Sequence, residues 1–246
     1  MAAKNPRRVA CIAFIVASGL LGADAPTDLA KRVAEQEARS GAERAQYTYR
    51  QTFLIEELTD RGAKAGEYHE VREIIFSPTG ERTERLVQPP KSALKRLRLT
   101  DEDFRDMREV QPLLFTPDRL FLYETHAKGE EQVEGVLCWI LQVRPKQILN
   151  GVRYFDGLFW VDQRDYSIIR SEGRAVPQVY STRPGKENLF PFFTTHRQKV
   201  GEYWFPALTQ ADDTLHFSSG PIRERFTIRY RDYRRFGVDS KVIATP

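Results

Sequence analysis

The sequence predicts a mostly β fold of the α+β class, roughly nine to eleven antiparallel strands with one helical insertion. Three observations predict it. From Tyr47 onward most of the chain alternates apolar with polar residues at a period of two. Short polar or Gly/Pro turns separate the alternating runs. One stretch, residues 91–115, instead has helical spacing and a capping residue.

In chain order, residues 28–45 read as a leading helix. Asp28 can cap it, and Leu29, Val33, Ala34 and Ala38 form a thin apolar stripe. A stripe that thin predicts a helix on the edge of the structure. The period then switches to two: Tyr47, Tyr49, Phe53 and Ile55 alternate with Thr48, Arg50, Thr52 and Glu56. Residues 68–76 and 81–87 flank the turn Ser77-Pro78-Thr79-Gly80. Pro89-Pro90 then stops the sheet. Within the helical stretch Leu94 and Leu97 form an i, i+3 pair. Thr100 caps a turn holding Asp101, Glu102 and Asp103, which the helix dipole favours. Phe104 and Met107 share a face before Pro112 and Pro117 break the pattern.

Strands resume beyond it. Residues 119–127 are expected to pair with 132–143 across Lys128-Gly129-Glu130, and 154–161 with 167–174 across residues 162–165. Residues 196–208 and 215–218 follow around Asp212-Asp213. In the last run, 225–236, Phe226, Ile228 and Tyr230 alternate with Thr227, Arg229 and Arg231. No repeat or linker interrupts the chain, so residues 26–246 are expected to form one domain.

The first 25 residues read as a secretory signal peptide. Lys4, Arg7 and Arg8 precede an uncharged apolar run, 9–21, and Gly22-Ala23-Asp24-Ala25 offers small residues for cleavage. The expected location is therefore the periplasm. The chain has 38 Lys+Arg and 34 Asp+Glu; without Lys4, Arg7, Arg8 and Asp24 these fall to 35 and 33. Such a balance gives no electrostatic reason for nucleic acid as a partner. Of two cysteines only Cys138 outlasts the leader, so no intramolecular disulfide is expected and a buried, inert thiol is.

No nucleophile elbow, zinc-protease helix, P-loop or dinucleotide fingerprint is present. His69, His126, His196 and His216 lack ligand spacing, so no metal or cofactor is expected. Glu56-Glu57 and Asp212-Asp213 are adjacent carboxylates. Neighbours in a strand point to opposite faces, so both pairs are expected to be solvated charges near turns.

The run Gly135-Val136-Leu137-Cys138-Trp139-Ile140-Leu141-Gln142-Val143-Arg144-Pro145 is followed by Tyr154, by Leu158-Phe159-Trp160-Val161-Asp162, and by Tyr166 with Ile168-Ile169-Arg170. This order resembles the lipoprotein-localisation superfamily: LolA/LolB-like carriers, outer membrane lipoprotein-sorting proteins and the N-terminal half of RseB-type regulators. The leading helix into Tyr47-Thr48-Tyr49-Arg50-Gln51-Thr52-Phe53 is similar to the family's opening.

The resemblance implies an unclosed, curved antiparallel β-barrel covered by a helical lid, with an acyl-chain cavity between them. It implies a non-enzymatic, monomeric carrier of lipid or lipoprotein acyl chains. The alternative is a lipid-sensing envelope-stress regulator acting through a membrane protein. Several hundred Å³ of apolar space would separate a binder from a packed structural protein. If the apolar parity of each strand faces inward, Tyr49, Phe53, Ile55, Leu137, Trp139, Leu141, Phe226, Ile228 and Tyr230 form the wall. Leu97, Phe104 and Met107 would form the lid's inner side. Trp160 is a further candidate whose face the sequence leaves open, because Phe159 and Val161 are equally apolar.

Overall fold

The structure, a computed structural model, describes residues 24–77, 81–109, 115–149, 152–181, 183 and 186–236. The leader through Ala23, Pro78-Thr79-Gly80 of the first hairpin turn, and Pro112 lie outside the described residues.

Helix α1 (Leu29–Arg44) leads into β1 (Tyr47–Leu58), β2 (Lys64–Phe76), β3 (Arg82–Leu86) and the short β4 (Lys91–Ser92). Helix α2 (Asp101–Glu109) interrupts them. Strands β5 (Tyr123–Val133), β6 (Val136–Pro145), β7 (Tyr154–Asp162), β8 (Ile168–Val176), β9 (Phe193–Val200), β10 (Tyr203–Phe217) and β11 (Gly220–Arg235) follow. They form one 11-stranded antiparallel sheet in the order β3-β2-β1-β11-β10-β9-β8-β7-β6-β5, with β4 also on β2. The outermost strands β3 and β5 do not meet, so the sheet is unclosed. Register shifts at Thr48/Arg50, Ala127/Gly129, Trp160/Val161 and Pro206/Leu208 add local twist, which lets so wide a sheet curl.

The alternation sorts the side chains between two cores. The inner face carries Tyr49, Phe53 and Ile55 of β1, Trp139, Leu141 and Val143 of β6, Phe159 and Val161 of β7, and Phe226, Ile228 and Tyr230 of β11. The outer face carries a smaller cluster of Val133, Cys138, Trp160, Ile169 and Trp204. Cys138 is fully buried there. Burial, then the charges of Asp162 and Glu131, push its thiol up to about 12, which leaves it unreactive.

Two strand boundaries differ from those the sequence suggests. Lys128-Gly129-Glu130 is not a turn: β5 runs through it, with Gly129 at a bulge. The chain reverses instead at Glu134-Gly135, where both residues have positive φ (51° and 81°), the geometry that matches sheet twist in a two-residue hairpin. Likewise Asp212-Asp213 lies inside β10, and the chain turns at Gly201, φ 60°.

On the inner face, cross-strand partners Gly157 and Gly173 make room for a ring. A Cβ on either would stand 2.6 Å from the Phe155 ring. The absent side chains let Phe155 lie over the backbone and stack on Phe159 at 5.2 Å.

Helix α1 does not sit at an edge. Leu29, Val33 and Ala34 enter the inner core, and Gln36, Glu37 and Ser40 are buried beside them. The thin apolar stripe is widened by buried polar residues, two of which find partners inside. Gln36 donates to Ser167 at 3.1 Å, and Glu37 takes a two-pronged ion pair from Arg197 of β9 at 2.6 and 2.8 Å.

Candidate functional site

The concave face is covered at one end by α1 and at the other by α2 with the segment before it. Helix α2 starts where the sequence says it should, in a reciprocal capping box. The Asp103 amide donates to the Thr100 hydroxyl oxygen at 3.3 Å, and the Thr100 amide donates to the Asp103 carboxylate at 2.7 Å. Thr100→Ala is expected to cost about 1 kcal/mol of stability, read as a shift in the urea midpoint at unchanged slope.

Its apolar grip on the sheet is small. Met107 is buried and Phe104 partly so, its ring 5.9 Å from Tyr68. In the preceding segment Leu97 is buried and Leu94 packs beside it. The rest of the hold is polar. Asn188 donates to Asp103 at 2.8 Å. Arg153 pairs with Asp106 at 2.8 Å and donates to the Pro177 carbonyl. Burial pushes the Asp106 carboxyl up to about 6, the facing Arg153 guanidinium limiting the rise.

The segment before α2 is tied down by Glu57. Its carboxylate accepts the backbone N–H groups of Lys95, Arg96 and Leu97 at 2.9, 2.9 and 3.3 Å. Burial alone would raise this carboxyl, but those three donors hold it below its ordinary range. The expectation of solvated charge at Glu56-Glu57 therefore fails for Glu57. Alternation sends Glu56 to the outer face, where it is partly buried beside Arg225, and Glu57 inward. The sequence does carry a signal for such inward acids. Glu57 continues the row Tyr49, Phe53, Ile55, and Glu224 interrupts Ile222, Phe226, Ile228, Tyr230. A charged residue at the apolar parity is either an edge or a site.

Between the segment before α2, Met107, residues 187–191 and the ends of β10 and β11 lies a cavity of about 40 Å³. Its apolar lining includes Ile55, Leu97, Met107, Phe190 and Phe226, and Glu224 projects into it. Burial, then the charges of Asp103 and Asp213, push the Glu224 carboxyl up to about 8. A second pocket of about 160 Å³ adjoins it past Arg96, Arg98, Phe217 and Ile222. Forty cubic ångströms hold only about two to four waters, not the several hundred that a preformed acyl pocket needs.

Of the wall residues, Tyr49, Phe53, Ile55, Trp139, Leu141, Phe226, Ile228 and Tyr230 share the inner cluster with Leu97 and Met107. Only Ile55, Leu97, Met107 and Phe226 among them border the cavity. Two candidates lie elsewhere. Leu137 has the inward parity but sits two residues after the Gly135 turn, where no described element covers it, and is 50% exposed. Trp160 faces outward: its indole N–H donates to Glu131 at 2.7 Å and the Arg170 guanidinium lies 4.0 Å above its ring. Phe159 and Val161 take the inner face instead. The Phe190-Pro191-Phe192-Phe193 run supplies Phe190, whose ring stands 6.0 Å from Phe226.

No protein-family model and no curated protein matches the chain. Solved structures similar to it include a DUF1329 family protein from Desulfovibrio piger, at 14% identity over 87% of this chain and 96% of that one, TM-score 0.45. Another is a LolA superfamily protein from Nitrosomonas europaea, at 15% identity over 88% and 97%, TM-score 0.38. A third is a putative outer membrane lipoprotein-sorting protein domain from Vibrio parahaemolyticus, at 13% over 83% and 93%, TM-score 0.36.

Proposed function

We propose that this chain is a periplasmic, non-enzymatic binder or carrier of lipid or lipoprotein acyl chains, of the outer membrane lipoprotein-sorting type, seen with its lid closed. The observation that carries the reading is the division of labour at α2. A continuous apolar wall on an unclosed sheet is covered by a helix that contributes one buried apolar side chain, Met107, and one partly buried, Phe104. An acyl chain enters by displacing Leu97, Phe104 and Met107 from that wall.

The energies allow it. Roughly a dozen methylenes at about 0.8 kcal/mol each offer about 10 kcal/mol before the costs of binding. Returning Met107 and Phe104 to water costs about 1.5–3 kcal/mol apiece at full burial. The leader supports the location, and the motif run through Trp139 supports the class of ligand.

Titration with the fluorescent fatty acid 11-dansylundecanoic acid tests the reading. Saturable one-to-one uptake with a blue-shifted emission is expected. Emission that stays at its value in water throughout the titration overturns it.

A further inference from the structure

At the cavity, three acids stand side by side across the sheet. Glu57 of β1 and Asp213 of β10 are the two cross-strand partners of Glu224 on β11. Directly opposed partners in antiparallel strands share a face, with Cβ atoms about 4.5–5.5 Å apart. The flanking two each hold a loop. Glu57 takes the three N–H groups of residues 95–97, and Asp213 takes the Phe192 N–H at 3.0 Å and the Thr214 N–H at 2.7 Å. Glu224, between them, is 4% exposed and has no hydrogen bond or ion pair among the described residues. It lines the cavity, together with the apolar Ile55, Leu97, Met107, Phe190 and Phe226.

A buried polar group without a partner is costly, so an acid kept in that state invites an explanation. Burial and the negative charge of Asp213 disfavour charge on Glu224. Asp103 of α2 adds a further negative group. The remaining charged groups at the cavity are Glu187, which accepts the Ser218 N–H, and Arg98, whose side chain is exposed. A neutral carboxyl in this place is an O–H donor facing a cavity whose walls are mostly, not wholly, apolar.

We propose that Glu224 is the polar anchor of the ligand site, donating its carboxyl proton to the carbonyl oxygen of an acyl ester or amide whose chain lies along the inner wall. The proposal rests on the acyl-binding reading and narrows it, from anything apolar to acyl groups that carry a carbonyl.

Displacement of the neutral fluorophore N-phenyl-1-naphthylamine by methyl decanoate and by undecane tests it on the wild type, Glu224→Gln and Glu224→Leu. The readout is each protein's ester-to-hydrocarbon affinity ratio, compared with that of Glu224→Leu so that the probes' different hydration cancels. The wild-type ratio is expected to exceed that of the Leu variant about 3–10-fold, the worth of one net hydrogen bond. The Gln variant, whose amide still donates, should keep most of this preference. Ester affinity of the wild type should fall as pH rises through about 8, where the donor proton leaves, while that of the Gln variant stays flat.

Equal ratios in wild type and Leu variant overturn the anchor while leaving the acyl-binding reading intact, since undecane still binds. Ester binding that tightens above that pH, or displacement by decylamine stronger than by the ester, overturns it in favour of a cationic ligand. Failure of both methyl decanoate and undecane to displace the fluorophore overturns the reading and the anchor together.

Discussion

Arg197→Met is expected to lower the unfolding free energy by about 3–5 kcal/mol, a larger loss than any surface substitution would give. Arg197 is 4% exposed and Glu37 6%. Their two contacts at 2.6 and 2.8 Å fix the middle of α1 to β9. Removing the guanidinium leaves the Glu37 carboxyl buried without its partner, and that loss of partner is the main cost. The melting temperature should fall by roughly 6–20 °C for a chain of this size. The double variant Glu37→Leu with Arg197→Met should recover most of the loss, because two apolar groups of similar volume replace the pair. A single-variant loss under about 1 kcal/mol would mean that α1 does not dock through this pair.

Trp139→Ala is the second large effect, at about 3–5 kcal/mol. Trp139 is 6% exposed and stacks on Tyr166 with centroids 5.7 Å apart. Arg32 of α1 donates to the Tyr166 hydroxyl at 3.0 Å and lies 5.1 Å over its ring. The indole therefore belongs to the layer beneath α1, and it does not border the cavity under α2. Calorimetry should show the stability loss, and fatty-acid uptake by the folded variant should stay within about twofold of wild type. Stability near wild type with uptake abolished would instead make Trp139 a ligand contact.

The sequence made the fold legible where periodicity was clean. β1 and β11 alternate apart from single polar residues in the inward row, such as Gln51 and Glu224, and their inward parity is the one the structure has; β6 is apolar on both faces over residues 136–141. Strand ends were harder. Asp212-Asp213 is polar enough to pass for a turn, yet one member pairs outward with Arg223 and Arg225 while the other tethers the Phe192 amide. Gly129 suggests a turn but relieves a bulge, whereas Gly135 makes the reversal. α1 was misplaced for a related reason. A stripe count registers only apolar residues, and this helix is buried partly through Gln36, Glu37 and Ser40.

The candidate site was half legible. Apolar parity finds Ile55 and Phe226, and helical spacing finds Leu97 and Met107. The same sorting discards acids as solvent-facing, so it passes over Glu57 and Glu224, the residues that set the cavity's polarity. What would have found them is position within the row. Each occupies an inward slot on a strand whose other inward residues are mostly aromatic or aliphatic.

Native mass spectrometry of the protein purified gently from its own envelope tests the central claim most directly. The account predicts a population heavier than the bare chain by the mass of one lipid or acyl group, lost on delipidation and restored by added acyl lipid. A single species at the bare mass, unchanged after incubation with acyl lipid, would contradict it and leave the inner face as a packed structural core.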